Sequence, residues 1–245
     1  MNADQMKKAA GEAAAQLVEP GMIVGLGTGS TAVHFVKALS ERMKAGLEIK
    51  GAVATSTQTA DYAQKLGIPL MDLNEAKQID LTVDGADEIG PGLSLIKGGG
   101  GALLREKLVW ESSKRCVVVA DEGKVVENLG AFALPIEVVK FGHVTTSDCI
   151  SSILADFGIE AELTLRHKDG VPFETDSGNY IYDAACEVIA TTLTPEEEEE
   201  ETLTEAEALG MQLKAITGVV EHGLFLGLAD EAFVATEDGV KRLES

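Results

Sequence analysis

A buried strand, a glycine turn and the start of a helix are encoded in residues 22–32, MIVGLGTGSTA. The apolar run bounded by glycine predicts a strand of a parallel sheet, and the next residues bring backbone N–H groups to the amino end of a helix. This is the outline of a phosphate-binding turn. The turn is weak evidence by itself, because a tight strand-to-helix connection without a ligand has the same pattern.

The same stretch departs from the fingerprint of dinucleotide-binding proteins. After Gly25 and Gly27 that fingerprint wants a third Gly or Ala, and Ser30 stands there instead. The second strand, at 51–54, should lead into an acid that binds ribose, but it leads into 55–59, TSTQT. Hydroxyl groups suit a small phosphorylated ligand better than NAD. A nicotinamide oxidoreductase is therefore an alternative that these residues weaken.

Two carboxylates follow another predicted strand. Residues 79–83, IDLTV, lead into Asp84, and Gly85 and Ala86 separate it from Asp87. Ligands of open α/β sheets bind at the carboxyl ends of the strands. Neighbouring carboxylates do not both ionise cheaply, so one can hold a proton near neutral pH. Taken alone, residues 84–88 fit equally well a turn whose acids lie in water.

Lys97 precedes a run of glycines at 98–101, and a helical pattern follows at 102–110. Glycine N–H groups approach an anion closely, and the amino end of the helix favours negative charge there. A phosphate or an enediolate would suit this loop. Glu106 stands in the helix between Arg105 and Lys107. Taken alone, such a glutamate is most often on a solvated helix face.

The order and spacing of these motifs resemble those of ribose-5-phosphate isomerase, type A. The likeness rests on residues 25–32, 55–56, 84–88 and 97–107, and it runs from 6 to 124 and more faintly to the carboxyl terminus. The resemblance implies an aldose-ketose isomerase that interconverts ribose 5-phosphate and ribulose 5-phosphate through an enediolate. It also implies that neither a metal nor an organic cofactor takes part.

The resemblance assigns roles to individual residues. Glu106 matches the general base that moves a proton between neighbouring carbons, Asp84 and Asp87 match acids that assist ring opening and shuttle the hydroxyl proton, and Lys97 matches the group that stabilises the enediolate. The residues expected to bind substrate are Lys7, Thr28, Gly29, Ser30, Thr31, Asp84, Gly85, Ala86, Asp87, Lys97, Gly98, Gly99, Gly100 and Lys124. The chemistry itself asks for a positioned base and for charge stabilisation at a developing oxyanion.

Alternating strands and helices predict an α/β fold, with a Rossmann-like, mostly parallel sheet domain and a smaller inserted α+β domain. Helices are expected at 4–19, 30–44, 56–66 and 101–112, and strands at 22–25, 50–54, 79–84 and 115–120. Beyond 130, strands at 134–139, 162–167 and 180–189 and a helix at 146–157 indicate antiparallel pairing. We expect a catalytic domain of residues 1–130 plus 206–245 and an inserted domain at 131–205. The resemblance implies that 216–220 and 232–236 return to the first sheet.

The chain of 245 residues has 41 acids against 20 bases, a formal net charge of -21 and a pI of about 4.5. This charge argues against nucleic acid and anionic membranes as partners. No apolar run approaches the ~20 residues of a membrane helix and no signal peptide opens the chain, so we expect a cytoplasmic protein. The acid excess motivates the hypothesis of a high-salt cytoplasm. We also expect a homodimer or homotetramer that binds a small sugar phosphate. A noncatalytic sugar-phosphate sensor is a further alternative.

The remaining chemistry-bearing residues are scattered. Cys116, Cys149 and Cys186 are widely spaced in apolar contexts and are predicted to be buried thiols, and no pair of histidines has metal-ligand spacing. The acidic run at 196–201 is predicted to be a solvated loop or a frayed helix start, because like charges at close spacing repel.

Overall fold

The computed structural model describes residues 1–193 and 202–244. The chain divides into two compact units. The first unit comprises Met1–Ala86, Arg105–Val125 and Gly227–Ser245, and the second comprises Asp87–Leu104 and Val126–Leu226. These bounds differ from the domains expected above at 87–104, 126–130 and 206–226, and the domain bounds stay a prediction. The acidic run at 196–201 lies outside the described residues.

Helices and short strands alternate along the first part of the chain, and the elements named below are those of residues 1–193 and 202–244. The helices are α1 (Ala3–Ala15), α2 (Ala32–Lys44), α3 (Thr57–Lys65), α4 (Leu73–Ala76), α5 (Leu103–Glu111), α6 (His143–Asp156) and α7 (Glu205–Ala215). The strands are β1 (Ile23–Leu26), β2 (Gly51–Ala54), β3 (Leu81–Asp84), β4 (Glu88–Ile89), β5 (Leu95–Ile96), β6 (Cys116–Asp121), β7 (Leu134–Val138), β8 (Glu162–Leu165), β9 (His167–Lys168), β10 (Val171–Pro172), β11 (Tyr180–Ala185), β12 (Val219–His222), β13 (Leu224–Phe225), β14 (Glu231–Thr236) and β15 (Gly239–Glu244). Short 3-10 turns occupy Pro91–Leu93 and Glu122–Lys124.

A six-stranded sheet forms the centre of the first unit. Its strand order is β15-β14-β6-β3-β1-β2, and every neighbouring pair is parallel except β14 with β15. The mostly parallel sheet predicted from the sequence is confirmed. The register sets Leu26 opposite Val83, so the chain leaves β1 and β3 side by side at their carboxyl ends. Ligand-binding loops of such sheets lie at this edge.

Helix α1 shows how the sequence sets the elements of this unit. Asn2 and Gln5 form a capping box, in which each side chain accepts the other residue's N–H at 2.9 Å. The helix ends at Ala15, before the predicted residue 19. Arg42 of α2 donates to the carbonyl oxygens of Ala15 and Val18 there, which satisfies acceptors that a longer helix would use itself.

The second unit has an antiparallel sheet of order β12-β7-β11-β8. Helix α7 packs on β12 and on α6, and the apolar core includes Ile136, Ile150, Tyr182 and Leu209. A small antiparallel sheet joins β13, β5 and β4. Segment 232–236 joins the first sheet as β14, as expected, but the prediction for 216–220 is wrong because β12 pairs with β7. The sequence of a strand as short as β12, VVEH, does not specify its sheet, and only strand pairing decides it.

Other differences have local causes. Helix α5 begins at Leu103 instead of residue 101 because Gly101 has a φ of +77°, outside the helical region. Cys116 and Cys186 are buried, but Cys149 is exposed and the prediction of burial is wrong for it. It stands one position before Ile150 on α6, and Ile150 occupies the buried face. None of the helices in the described part of the chain is long and apolar enough to span a membrane.

Candidate active site

Asp84 ends strand β3 with its side chain inside the first unit. The residue is 0% exposed, and its Oδ1 accepts the N–H of Thr28 at 2.9 Å and the N–H of Gly85 at 2.8 Å. The interpretation that places this acid in water is therefore wrong. A Cβ on Gly27 would lie 2.2 Å from Asp84 Oδ1, so the two loops touch at a point where only glycine fits.

Hydroxyl groups hold the turn after β1 in place. Thr28 Oγ1 shares a hydrogen bond of 2.7 Å with Thr55 Oγ1, donates to Ser56 Oγ at 2.8 Å and lies 3.2 Å from Thr59 Oγ1. Thr59 Oγ1 in turn donates to the carbonyl oxygen of Gly27 at 3.1 Å. These side chains follow β1 and β2, where the sequence offered hydroxyls in place of an acid. Their hydrogen bonds orient the turn so that the Thr28 N–H reaches Asp84.

The outer part of the same turn is open and carries a cation. Gly29 and Ser30 are exposed, Thr31 is buried, and Lys7 from α1 donates its Nζ to Ser30 Oγ at 2.9 Å. Helix α2 begins directly after this turn. A cleft of about 610 Å³ is lined by residues of the turn and of α2 and α3. An ammonium group and a helix amino end together favour an anion such as phosphate.

Glu106 is withdrawn from water. It lies in the first turn of α5, in the part of the helix that belongs to the first unit, and it is 4% exposed. The solvated helix face expected from its charged neighbours is wrong, since Lys107 is buried too. Buried carboxylates are rare unless their surroundings or a function require them. Glu106 is therefore the strongest candidate for a proton-transfer group in this unit.

The glycine loop of the second unit brings a lysine and a carboxylate into fixed positions. Lys97 is 1% exposed, its N–H donates to Gly223 O at 2.9 Å, and its Nζ lies 5.4 Å from the centre of the Phe225 ring. Gly99 N–H donates to Asp87 Oδ2 at 2.7 Å. Gly98 has a φ of +106°, which explains a glycine at that position.

The other predicted site residues are placed as follows. Gly85 and Ala86 are half-buried between β3 and Asp87, and Gly100 is exposed. Lys124 is half-buried in the 3-10 turn after β6, where Asp121 Oδ1 accepts the Gly123 N–H at 3.2 Å. Within the described residues, no group of three or more His, Cys, Asp or Glu side chains is arranged to hold a metal ion.

Arg166, which contacts the glycine loop, was not predicted as a site residue from the sequence. Arg166 follows β8, and its Nη1 donates to the carbonyl oxygens of Gly98 at 2.9 Å and of Gly99 at 3.3 Å. The sequence placed Arg166 in a predicted strand and gave it no role. No local pattern could have found it, since its contacts lie 68 and 67 positions away.

Fold and site define an α/β protein with glycine turns after β1 and β5, a buried glutamate and carboxylates held by backbone N–H groups. A sequence model of ribose 5-phosphate isomerase A (phosphoriboisomerase A) matches residues 51–239. The chain belongs to the ribose 5-phosphate isomerase A family.

Relatives of known name match over the full length. The chain is 57% identical over 243 residues to a protein named ribose-5-phosphate isomerase A from Caulobacter sp. (strain K31), with 99% of each chain covered. It is 46% identical to the protein of that name from Parvibaculum lavamentivorans, with both chains fully covered. Among solved structures, ribose 5-phosphate isomerase from Plasmodium falciparum has a TM-score of 0.86 at 35% identity and 99% coverage of each chain. A D-ribose-5-phosphate isomerase in complex with phospho-erythronic acid has a TM-score of 0.87 at 37% identity, with both chains fully covered.

Proposed function

We propose that this protein interconverts D-ribose 5-phosphate and D-ribulose 5-phosphate as an aldose-ketose isomerase of the non-oxidative pentose phosphate pathway. The observation that carries the proposal is the full-length match, at 57% identity, to proteins named ribose-5-phosphate isomerase A. The site adds a chemical argument, because isomerisation needs a base shielded from water and Glu106 is a buried carboxylate.

The reaction moves two protons within the sugar. The base removes the proton on C2 of the open-chain aldose, and the electron pair shifts toward the C1 carbonyl to form an enediolate. The same proton returns to C1, while the proton of the C2 hydroxyl passes to the oxygen on C1, so that C2 becomes the carbonyl of the ketose. We assign the first and last carbon proton transfers to Glu106. A positioned general base typically contributes about two to four powers of ten in rate.

The oxygens of the sugar need their own groups. We assign ring opening and the hydroxyl-to-carbonyl proton transfer to Asp84 and Asp87, whose carboxylates accept backbone N–H groups that orient them. We assign stabilisation of the enediolate charge to Lys97 and the loop of Gly98, Gly99 and Gly100, in which the Gly99 N–H orients the Asp87 carboxylate. A single donor aimed at a developing oxyanion is worth roughly 3 to 4 kcal/mol.

The phosphate of the substrate suits the turn after β1. Lys7 and the backbone of residues 28–31 offer positive charge and N–H groups at the start of α2. Lys124, Gly85 and Ala86 complete the proposed substrate contacts. A solved relative in complex with phospho-erythronic acid supports a phosphorylated ligand for this family. Because the Thr28 hydroxyl is hydrogen-bonded to the Thr55 and Ser56 side chains, we expect the backbone of Thr28 to contact the substrate.

The test is conversion of ribose 5-phosphate to ribulose 5-phosphate by chelator-treated protein, with Glu106→Gln beside it. We expect the wild type to turn over without added metal and Glu106→Gln to lose about 10²- to 10⁴-fold in kcat. Glu111→Gln is the matched control, since Glu111 is an exposed glutamate at the other end of the same helix. Normal turnover by Glu106→Gln would remove Glu106 from the mechanism and leave Asp84 or Asp87 as the base. Activity that returned only with a metal would contradict a cofactor-free reaction.

We further propose that the protein works in the cytoplasm as a homodimer or homotetramer. Exposed apolar side chains support self-association: Phe141 is 95% exposed, and Val144, three positions further along the chain, is 60% exposed. Light scattering should give two or four times the chain mass of 25.8 kDa. A monomer at assay concentration would contradict the proposal. Cell fractionation of the source organism tests the location.

A further inference from the structure

Arg166 is anchored in the second unit on several sides. Its Nε donates to Asp183 Oδ2 at 2.8 Å, and its Nη2 donates to Asp183 Oδ1, so the pair is bidentate. Its backbone N–H donates to Ile181 O at 2.8 Å, and its guanidinium carbon lies 6.0 Å from the centre of the Phe173 ring. The side chain is 15% exposed. The pair with Asp183 takes two of the five guanidinium N–H groups and leaves the Nη1 end to donate in another direction.

That direction leads to the glycine loop. Nη1 donates to Gly98 O at 2.9 Å and to Gly99 O at 3.3 Å. The carbonyl of Gly98 belongs to the same peptide group as the N–H of Gly99, and that N–H donates to Asp87 Oδ2 at 2.7 Å. In a trans peptide the C=O and N–H point in opposite directions. Arg166 and Asp87 therefore hold one peptide plane from its two edges.

The next peptide group is oriented by the same cation. The carbonyl of Gly99 shares its plane with the N–H of Gly100, so a carbonyl turned toward Arg166 turns that N–H away from it. Arg166 therefore contacts the carbonyl edges of two successive peptide groups, whose N–H edges belong to Gly99 and Gly100. A cation on the carbonyl side also polarises each peptide and strengthens its N–H as a donor.

The Gly101 N–H also donates to Gly98 O at 2.9 Å, and Arg166 adds a cation on that carbonyl and on the next one. Fixing the backbone of one residue costs roughly 1 to 2 kcal/mol in conformational entropy, and glycine loses more conformational freedom than any other residue. We propose that Arg166 is a positioning residue for isomerisation, which fixes the Gly98–Gly99 peptide and through it the orientation of Asp87 and of the loop's N–H groups. This inference rests on the proposed function of that loop.

The experiment compares Arg166→Lys with Arg42→Lys. Lysine keeps the charge but lacks the planar fork that bonds Asp183 and two carbonyls together. Arg42 is the matched control, because its guanidinium also donates to two backbone carbonyls, those of Ala15 and Val18, and the proposed mechanism gives it no part. Ribose 5-phosphate kinetics, melting temperature and amide hydrogen exchange at residues 98–101 are measured for both.

For Arg166→Lys we expect kcat to fall roughly 10- to 100-fold, since misplacement of a catalytic group by about 1 Å has an effect of this size. KM should change less than about threefold, amide exchange at Gly99 and Gly100 should accelerate, and millimolar guanidinium should restore part of the kcat of Arg166→Ala. Arg42→Lys should lose stability while keeping kcat. Wild-type kcat in Arg166→Lys, or a loss of kcat that only follows a loss of folded protein, would overturn the inference. Absence of turnover in the wild type would instead overturn the proposed function, and the inference with it.

Discussion

Gly27→Ala tests whether the ends of β1 and β3 are packed as closely as the structure shows. A Cβ at this position would lie 2.2 Å from Oδ1, 2.3 Å from Cγ and 2.5 Å from Cα of Asp84. The last of these atoms is backbone, so rotation of the Asp84 side chain cannot relieve the contact. The end of one strand must move away from the other.

The size of the destabilisation follows from packing strain and from the hydrogen bonds that this movement lengthens. Overpacking of a close-packed site typically destabilises by about 1 to 3 kcal/mol. The Gly27 N–H to Val83 O bond and the Thr28 N–H to Asp84 Oδ1 bond, both 2.9 Å, lengthen as the strands separate. A hydrogen bond to a charged group contributes about 1.5 to 3 kcal/mol. We expect a loss of about 3 to 5 kcal/mol, or about 6 to 20 °C in Tm for a chain of this length.

Urea unfolding followed by tryptophan fluorescence measures the loss of unfolding free energy in the first unit, which contains Gly27. The chain has one tryptophan, Trp110, and it is buried in the first unit. Gly85→Ala is the matched control, because it adds a methyl group beside the same carboxylate with nothing nearer than 3.9 Å. We expect that control to be neutral or to gain up to about 1 kcal/mol. Equal unfolding free energies for the two variants would refute the packing argument.

Three further predictions concern charge and thiol chemistry. The Lys114 side chain and the Ile23 N–H, at 2.8 and 2.9 Å, hold the pKa of the Asp80 carboxyl below its ordinary value of 3.8. This stabilisation is complete above pH 3.8 and is lost as pH falls through the folded-state pKa. Asp80→Asn should therefore lower Tm near neutral pH, and its difference from wild type should shrink as the pH falls through the folded-state pKa; a difference that stays the same at every pH contradicts this. Burial raises the pKa of the Cys186 thiol to about 12, whereas Cys149 is exposed, so a thiol reagent should label one fast cysteine that Cys149→Ser removes. Survival of the fast phase in that variant would show the assignment to be wrong. Finally, the net charge of -21 predicts that Tm and activity rise with potassium chloride, and a flat or falling Tm above physiological salt counts against the high-salt hypothesis.

Much of the fold of the first unit could be predicted because its strands are buried on both faces. Such strands appear in the sequence as continuous apolar runs, and the helices between them keep an apolar stripe. Each of β1, β2, β3 and β6 lies within two residues of its predicted bounds. The end of α1 was missed because it depends on Arg42, a residue of another helix. Residues 216–220 were assigned to the wrong sheet because a strand as short as β12 does not specify its partner.

The candidate site likewise has features that the sequence predicted and features that it did not. Residue types and spacing pointed to Asp84, Asp87, Lys97 and the glycine turns, since these are local motifs at strand ends. The burial of Glu106 was not visible, because its sequence neighbours are charged and indicate water.

By itself, the sequence determined the α/β pattern, the glycine turns and the acids that follow the strands, because each depends on residues that are close together along the chain. Only the tertiary structure decided which of those acids are buried. It also decided that the Gly27 backbone contacts Asp84 and that Arg166 donates to the glycine loop from 68 positions away. Burial and long-range hydrogen bonds depend on how distant segments pack, and packing is a property of the folded chain as a whole.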